Sequence, residues 1–413
     1  MGAIYENGLT TVSGGNLSVR AEGGVWITPS GIDKGALAPG DMVFAREGPA
    51  GGGPQGFAGK HPPSMELRLH RAIYAAAPGL GAAIHVHAPS LMAASLLRGL
   101  PRTELMPHIA GVTGRLGLVP FATPGSEALG AGVAEAMGGG AETALLENHG
   151  AVAGGRDLGH AYYRLEALNL LVRALSLARA LGGPCGPPEP RPQLWEARPC
   201  AGQAEVGVAA AGDFRGELSE LGRYAGRLYA RRLSLSNPDM FCLSHRAGRG
   251  LLSGAAGLPL HRLARGGGGW AYADEEGAAS HHQRVHLAIY RKNPAINSVI
   301  TGMAPGAAAF ALAGKAFSTE IIPESWMVLG NVGLLEYGDY GDAGMAADAL
   351  GGFTGGLIFK NGPYICAGET AARAYDRAEV LEYSARAIAE AMGAGEIRAP
   401  GAEAMAALRA AFG

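Results

Sequence analysis

Residues 63 to 90 read PSMELRLHRAIYAAAPGLGAAIHVHAPS, and the reading of this stretch governs the rest of the chain. Pro62 and Pro63 precede Ser64, and apolar residues follow at Met65, Leu69, Ala72, Ile73 and Ala76. That spacing predicts a helix capped by Ser64 and ended by Pro78-Gly79. Ala82 to Val86 is a short apolar run that predicts a strand. His85 and His87 stand two residues apart on it, so alternation sends both imidazoles to one face. Glu66 falls in the first turn of the helix before them. Two histidines with a nearby carboxylate are part of a divalent-metal site, and a further imidazole is needed to close it.

LLENHGAVAGG, from Leu145, supplies one. His149 follows the apolar Ala144 to Leu146 and precedes Gly150, which places it at a strand end beside a tight backbone. Three neutral imidazoles leave the charge of a bound ion uncompensated, and a catalytic zinc keeps a position open for a substrate oxygen.

Four pieces now stand in order: GNLSVR at Gly15–Arg20, ITPSG at Ile27–Gly31, PSMELRLHRAIY with HVHAP, and ENHG followed by AYYRLEALN. In order and spacing, the chain from Gly14 to about Leu181 resembles the class II aldolase/adducin family, the fold of L-fuculose-phosphate aldolase. The resemblance implies an α/β/α domain with a central, mostly antiparallel sheet flanked by helices. It implies Zn²⁺, or another divalent ion such as Mn²⁺ or Co²⁺, held by His85, His87 and His149, with Glu66 as ligand or general base. It also implies that the turns at Gly15-Asn16 and Ser30-Gly31, together with Ser64, receive a substrate phosphate. Two serines often precede the glutamate in the family; here the pair is Ser64-Met65, and one hydroxyl is lost. The region of TELMPH, Thr103 to His108, offers a tyrosine acid to a neighbouring subunit in the family. With no tyrosine here, His108 is the candidate replacement, beside the plainer reading of a surface histidine.

Composition sets outer limits. The chain has 413 residues, enough for two or three domains, and a formal net charge of -2, which gives no basis for nucleic acid or an anionic membrane. Its four cysteines, Cys185, Cys200, Cys242 and Cys366, form no CxxC pair, as suits a reducing cytoplasm. The N-terminus has no signal pattern, and no run of about eighteen apolar residues predicts a membrane span. GGGPQG at 51–56 follows no clear strand and reads as a loop, not a dinucleotide site.

The second half repeats the first. Shifted by 216, Pro63–Pro89 aligns without gaps on Ala279–Pro305, with ten of 27 positions identical. His70 meets His286, and TELMP at Thr103 meets TEIIP at Thr319. The ligands are gone: Glu66 becomes His282, His85 becomes Thr301, His87 becomes Met303, and His149 aligns with Asn361. His70 persists where no metal can bind, which marks it as structural. The expected organisation is therefore a metal-binding domain over 1–182, a Pro-rich linker over 183–212, and a degenerate domain of the same fold over 213–413.

What the resemblance implies for function is a lyase acting through an enediolate on a small hydroxy-carbonyl sugar derivative, phosphorylated or not. Epimerisation, decarboxylation and dehydration share that logic in the family, and adducin-like assembly is the non-catalytic alternative. Family tetramers imply a homodimer of two-domain chains with pseudo-fourfold symmetry. Glu324, which matches His108 in the shared register, is then a second source of the acid.

Overall fold

A computed structural model describes residues 1–47, 56–188, 214–255, 258–264, 269–274, 277 and 280–412. Most of the expected linker and all but the last residue of GGGPQG lie outside these. The chain divides into two compact units, Met1–Thr103 with Ile109–Val172, and Glu104–His108 with Arg173–Gly413. No helix among the described residues is long and apolar enough to cross a membrane.

The first unit is built on one eight-stranded sheet. Its strands are β1 (Asn16–Ala21), β2 (Gly24–Ile27), β3 (Val43–Arg46), β4 (Phe57–Ala58), β5 (Ala82–Val86), β6 (Leu116–Val119), β7 (Thr143–Leu146) and β8 (Gly150–Gly155). They lie in the order β4-β3-β2-β1-β5-β8-β7-β6. Every pairing is antiparallel except β6 with β7. Alternation along β5 divides the core in two: Ile84 and Val86 pack with Leu165 and Leu168 of the helix Leu158–Ala180. Ala83 packs on the other face with Leu69 and Ile73 of the helix Leu67–Ala76, and with Leu129 and Val133. The result is a sheet between two helical layers, and His85 shares the face of Ala83.

The second unit repeats the plan with β9 (Cys242–Ala247), β10 (Gly250–Gly254), β11 (Trp270–Ala273), β12 (Ser298–Gly302), β13 (Val332–Leu335), β14 (Gly356–Phe359) and β15 (Tyr364–Gly368). Their order, β11-β10-β9-β12-β15-β14-β13, is that of the first sheet without β4, and the single parallel pair, β13 with β14, falls where β6 and β7 stand. Both units are mixed α/β folds with helices on the sheet.

Two expectations need correction. Ser64 does not cap its helix. The helix starts at Leu67 with Glu66 at the cap position, and Ser64 Oγ instead accepts from Glu66 N at 3.3 Å. Ser280 does cap the helix His281–Lys292, and Gln283 closes a capping box with it. The second correction is a slip of one residue. Asn148 and Asn361 share a left-handed φ of 57°, and the residue after each donates back to the strand end, His149 N to Leu146 O and Gly362 N to Phe359 O. The counterpart of His149 is therefore Gly362, not Asn361. The ligand is lost either way.

Both units contain one buried polar motif. Ser18 Oγ lies 2.6 Å from His70 Nδ1 and 2.7 Å from Tyr74 OH; Ser244 Oγ lies 2.7 Å from both His286 Nδ1 and Tyr290 OH. Each serine joins sheet to helix and satisfies two side chains that have no access to water. We expect Ser244→Ala, which strands both partners far from any ligand position, to destabilise the second unit by about 1–3 kcal/mol. A urea midpoint unchanged from the parent would refute this.

Candidate metal centre

The site grows from one ladder pairing. Asn16 faces His85 between β1 and β5, so their side chains leave the same face of the sheet. His85 Nδ1 lies 3.0 Å from Ala151 O on β8 and donates to it, which leaves the lone pair on Nε2. His87, just beyond the end of β5, brings its Nε2 to 2.8 Å from His85 Nε2. Gly14 makes room for it, since a Cβ there would stand 2.8 Å from His87 Nδ1. His149 is presented by a tight corner: Asn148 is left-handed, and a Cβ on Gly150 would strike Val86 O. The His85 ring centroid is 4.6 Å from that of His87 and 4.7 Å from that of His149. One donor atom from each of the three lies within 4.8 Å of the others.

Glu66 stands against this group. Oε2 is 3.3 Å from His85 Nε2 and Oε1 is 3.4 Å from His149 Nε2, and the residue is 6% exposed. Asn16 Nδ2 donates to Oε2 at 2.6 Å, and Asn16 Oδ1 accepts from His70 Nε2. Since Asn16 donates to the carboxylate, its other end must accept, which puts the hydrogen of His70 on Nε2. His70 Nδ1 then accepts from Ser18, and Ser18 from Tyr74. One directional chain, Tyr74 to Ser18 to His70 to Asn16, thus ends on Glu66. Burial pushes His70 down to about 3, with His85 adding to the effect, so it stays neutral as the chain requires. Spacing alone gave no sign of this chain. The recurrence of His70 as His286 pointed to a structural part but not to Asn16 as its partner.

The remaining predicted residues fall as follows. Gly15 has φ 63° and Gly31 has φ 69°, so both turns need glycine. Thr28 ties the turns together: its N donates to Leu17 O at 3.0 Å, and its O accepts from Ser64 N at 3.1 Å. Ser30 N donates to Pro62 O at 3.0 Å. Gly15, Ser30, Gly31 and Ser64 are thereby held in one neighbourhood with Asn16. The side-chain amide of Asn16 is engaged by Glu66 and His70. His108 belongs to the second unit, 1% exposed, with its ring 5.7 Å from that of Tyr337 and 5.9 Å from that of Tyr340. Glu324 is exposed at the start of the helix Pro323–Leu329.

The donor set fits a divalent ion. Burial, with His87 and His149 close by, holds His85 well below the ordinary imidazole range, and burial beside His149 lowers His87 as well. Both rings are neutral at pH 7 and keep a lone pair for a metal. In the second unit the equivalent positions carry Thr301, Met303 and Gly362, and His282 hydrogen-bonds to Tyr340 OH and, at 3.0 Å, to Asp239 O. Among the described residues, the triple in the first unit is the one cluster of three such ligands.

The profile described as Class II Aldolase and Adducin N-terminal domain matches residues 1–175 and again 254–389. The chain belongs to this family. A 5-methylthioribulose-1-phosphate/5-deoxyribulose-1-phosphate aldolase of Rhodospirillum rubrum is 40% identical over 154 residues, covering 37% of this chain and 65% of that protein. The L-fuculose phosphate aldolase of Escherichia coli K12 is 33% identical over 182 residues, 43% of this chain and 79% of the relative. A 3-oxo-tetronate 4-phosphate decarboxylase of Haemophilus influenzae is 33% identical over 165 residues, 38% and 73% of the two chains. The chain thus spans slightly less than two thirds of the Rhodospirillum protein.

We expect metal analysis to find one divalent ion per chain, and His85→Ala to remove it. Because burial depresses His85 and His87, protons compete with the metal only below the usual imidazole range. Metal should therefore stay bound as pH falls through about 6.5 and be lost further down. Loss centred at or above 6.5, or two ions per chain, would contradict this.

Proposed function

We propose that the first unit is a divalent-metal-dependent lyase of the aldolase type, acting on a small phosphorylated hydroxy-carbonyl sugar derivative. The observation that carries this reading is Glu66, fixed by Asn16 against three convergent imidazoles. His85, His87 and His149 would hold the ion. When bound, it supplies Lewis acidity that polarises a carbonyl oxygen and offsets the charge of an enediolate.

The residues divide the remaining work. Glu66 accepts the proton of the hydroxyl beyond the scissile bond; that carbon becomes an aldehyde, and the C–C pair passes to the carbonyl side as the enediolate. The same carboxyl then returns a proton to the enediolate carbon. Asn16 keeps the carboxylate oriented throughout. The turns at Gly15 and at Ser30-Gly31, with Ser64, receive the phosphate. Two of the relatives above are named as sugar-phosphate aldolases and one as a decarboxylase of a 4-phosphate, which supports a phosphorylated substrate and makes aldol cleavage the first choice among the family's reactions. Absence of a CxxC pair suits a cytoplasmic setting.

Glu66→Gln keeps size and the bond from Asn16 but cannot take a proton. Steady-state kinetics should show turnover reduced by about a hundredfold or more, with metal content retained. Activity within a few-fold of the parent would remove Glu66 from the reaction.

For assembly we propose that the second unit is a degenerate copy, kept for the interfaces of a homodimer with pseudo-fourfold symmetry. Leu105 and Met106 are fully buried as part of the second unit, where Leu105 O accepts from Asn361 Nδ2 at 2.7 Å. Their repeat equivalents Ile321 and Ile322 are only half-buried, and Glu324 is exposed. A second copy of the chain would cover them and bring Glu324 to a working site as the acid. Light scattering should give twice the chain mass of 42.1 kDa. A fully active monomer would refute the proposal.

A further inference from the structure

Lys34 belongs to no part of the site described so far. It is 3% exposed, and its ammonium donates to Pro29 O, the carbonyl just ahead of Ser30-Gly31. The same peptide is held from its other side, where Ser30 N donates to Pro62 O at 3.0 Å. The backbone N of Lys34 donates to Val12 O at 2.9 Å, in the segment leading into Gly14-Gly15. One residue thus fastens the second glycine turn by its side chain and the first by its backbone.

A lysine in this position is costly. Burial alone lowers its pKa, and among the described residues no carboxylate pairs with it. An uncompensated cation under a turn is stabilised by whatever anion the turn receives. A second polar group waits in the same place. Thr10 is 8% exposed, its Oγ1 has no hydrogen-bond partner, and it lies so close to Gly15 that a Cβ there would stand 2.7 Å from it. Buried hydroxyls are satisfied in all but a few cases, so one left open beside the Gly14-Gly15 turn points to a ligand.

We propose that Lys34 is a positioning residue for the substrate's phosphate: its buried charge and its hold on Pro29 O shape the Ser30-Gly31 turn into a dianion subsite. This rests on the reading of a phosphorylated substrate given above. The bonds it makes predict a split between charge and shape. Lys34→Gln can still donate to Pro29 O but carries no charge; Lys34→Met loses both.

The test measures competition by inorganic phosphate, and the thermal shift phosphate produces, in the metal-loaded full chain. With Lys34→Gln, phosphate affinity should fall about tenfold and KM for the phosphorylated substrate should rise in parallel, while kcat and metal content stay within a few-fold. Lys34→Met should lose at least as much. If Lys34→Gln folds, holds its metal and binds phosphate as the parent does, Lys34 is only a structural clamp and the inference is overturned. If the parent itself ignores phosphate yet cleaves an unphosphorylated sugar, the inference falls while the lyase reading stands. An inactive, metal-free parent would instead overturn the lyase reading.

Discussion

Asn16 opposite His85 is the pairing on which the centre depends. A slip of one residue between β1 and β5 would carry both side chains to opposite faces of the sheet. Asn16 would then no longer share a face with His85 or reach Glu66. The register is secured by what lies around it: Leu17 packs in one core layer with Ile84 and Val86, while Ser18 is committed to His70 and Tyr74 in the other. The candidate donors are therefore placed by the packing of the core around them. That is the preorganisation a Lewis-acid site needs, since ligands that must be gathered at binding cost affinity.

The two units act as a comparison within one chain. β9 pairs with β12 so that Ser244 stands as Ser18 does, and Cys242 takes the place of Asn16. Tyr290, Ser244 and His286 keep their bonds, yet the chain now ends at Thr301 Oγ1, 2.8 Å from His286 Nε2, at the position of His85. The part that survives satisfies buried polar groups, and it must survive wherever the helix packs on the sheet. The part that is lost, Asn16, Glu66 and the three imidazoles, is the part that forms the candidate centre, and Thr301 takes over the bond that Asn16 makes to the buried histidine.

Much of this was legible in the sequence, for identifiable reasons. β5, His85, His87 and the Gly-flanked His149 are local patterns, and local pattern is what a sequence displays. The family followed from a resemblance carried by four ordered motifs, and the repeated fold from the alignment of the two halves at a shift of 216. Ser64 misled because the helix begins only at Leu67, with Glu66 at the cap position, and where a first turn starts is set by backbone angles that the sequence does not display. Asn361 misled because one residue of difference in the connection before it is invisible without backbone angles. The bonds of Asn16 to Glu66 and His70 were not legible, because both partners lie some fifty positions away. Lys34 gave no signal, since burial of a lysine is a property of the fold and not of its neighbours in the chain.

The place of Glu66 against the donor triple bears on charge. Three neutral imidazoles would add nothing to the two positive charges of a divalent ion, and Glu66 stands 3.3 Å from His85 Nε2 and 3.4 Å from His149 Nε2. Under the proposed reaction, a carboxylate that takes up a proton there would lose its negative charge as negative charge grew on the substrate, and the field of the centre would then favour the transition state over the bound substrate. His282, at the same position in the second unit, removes the carboxylate altogether, and no donor triple remains there for one to serve.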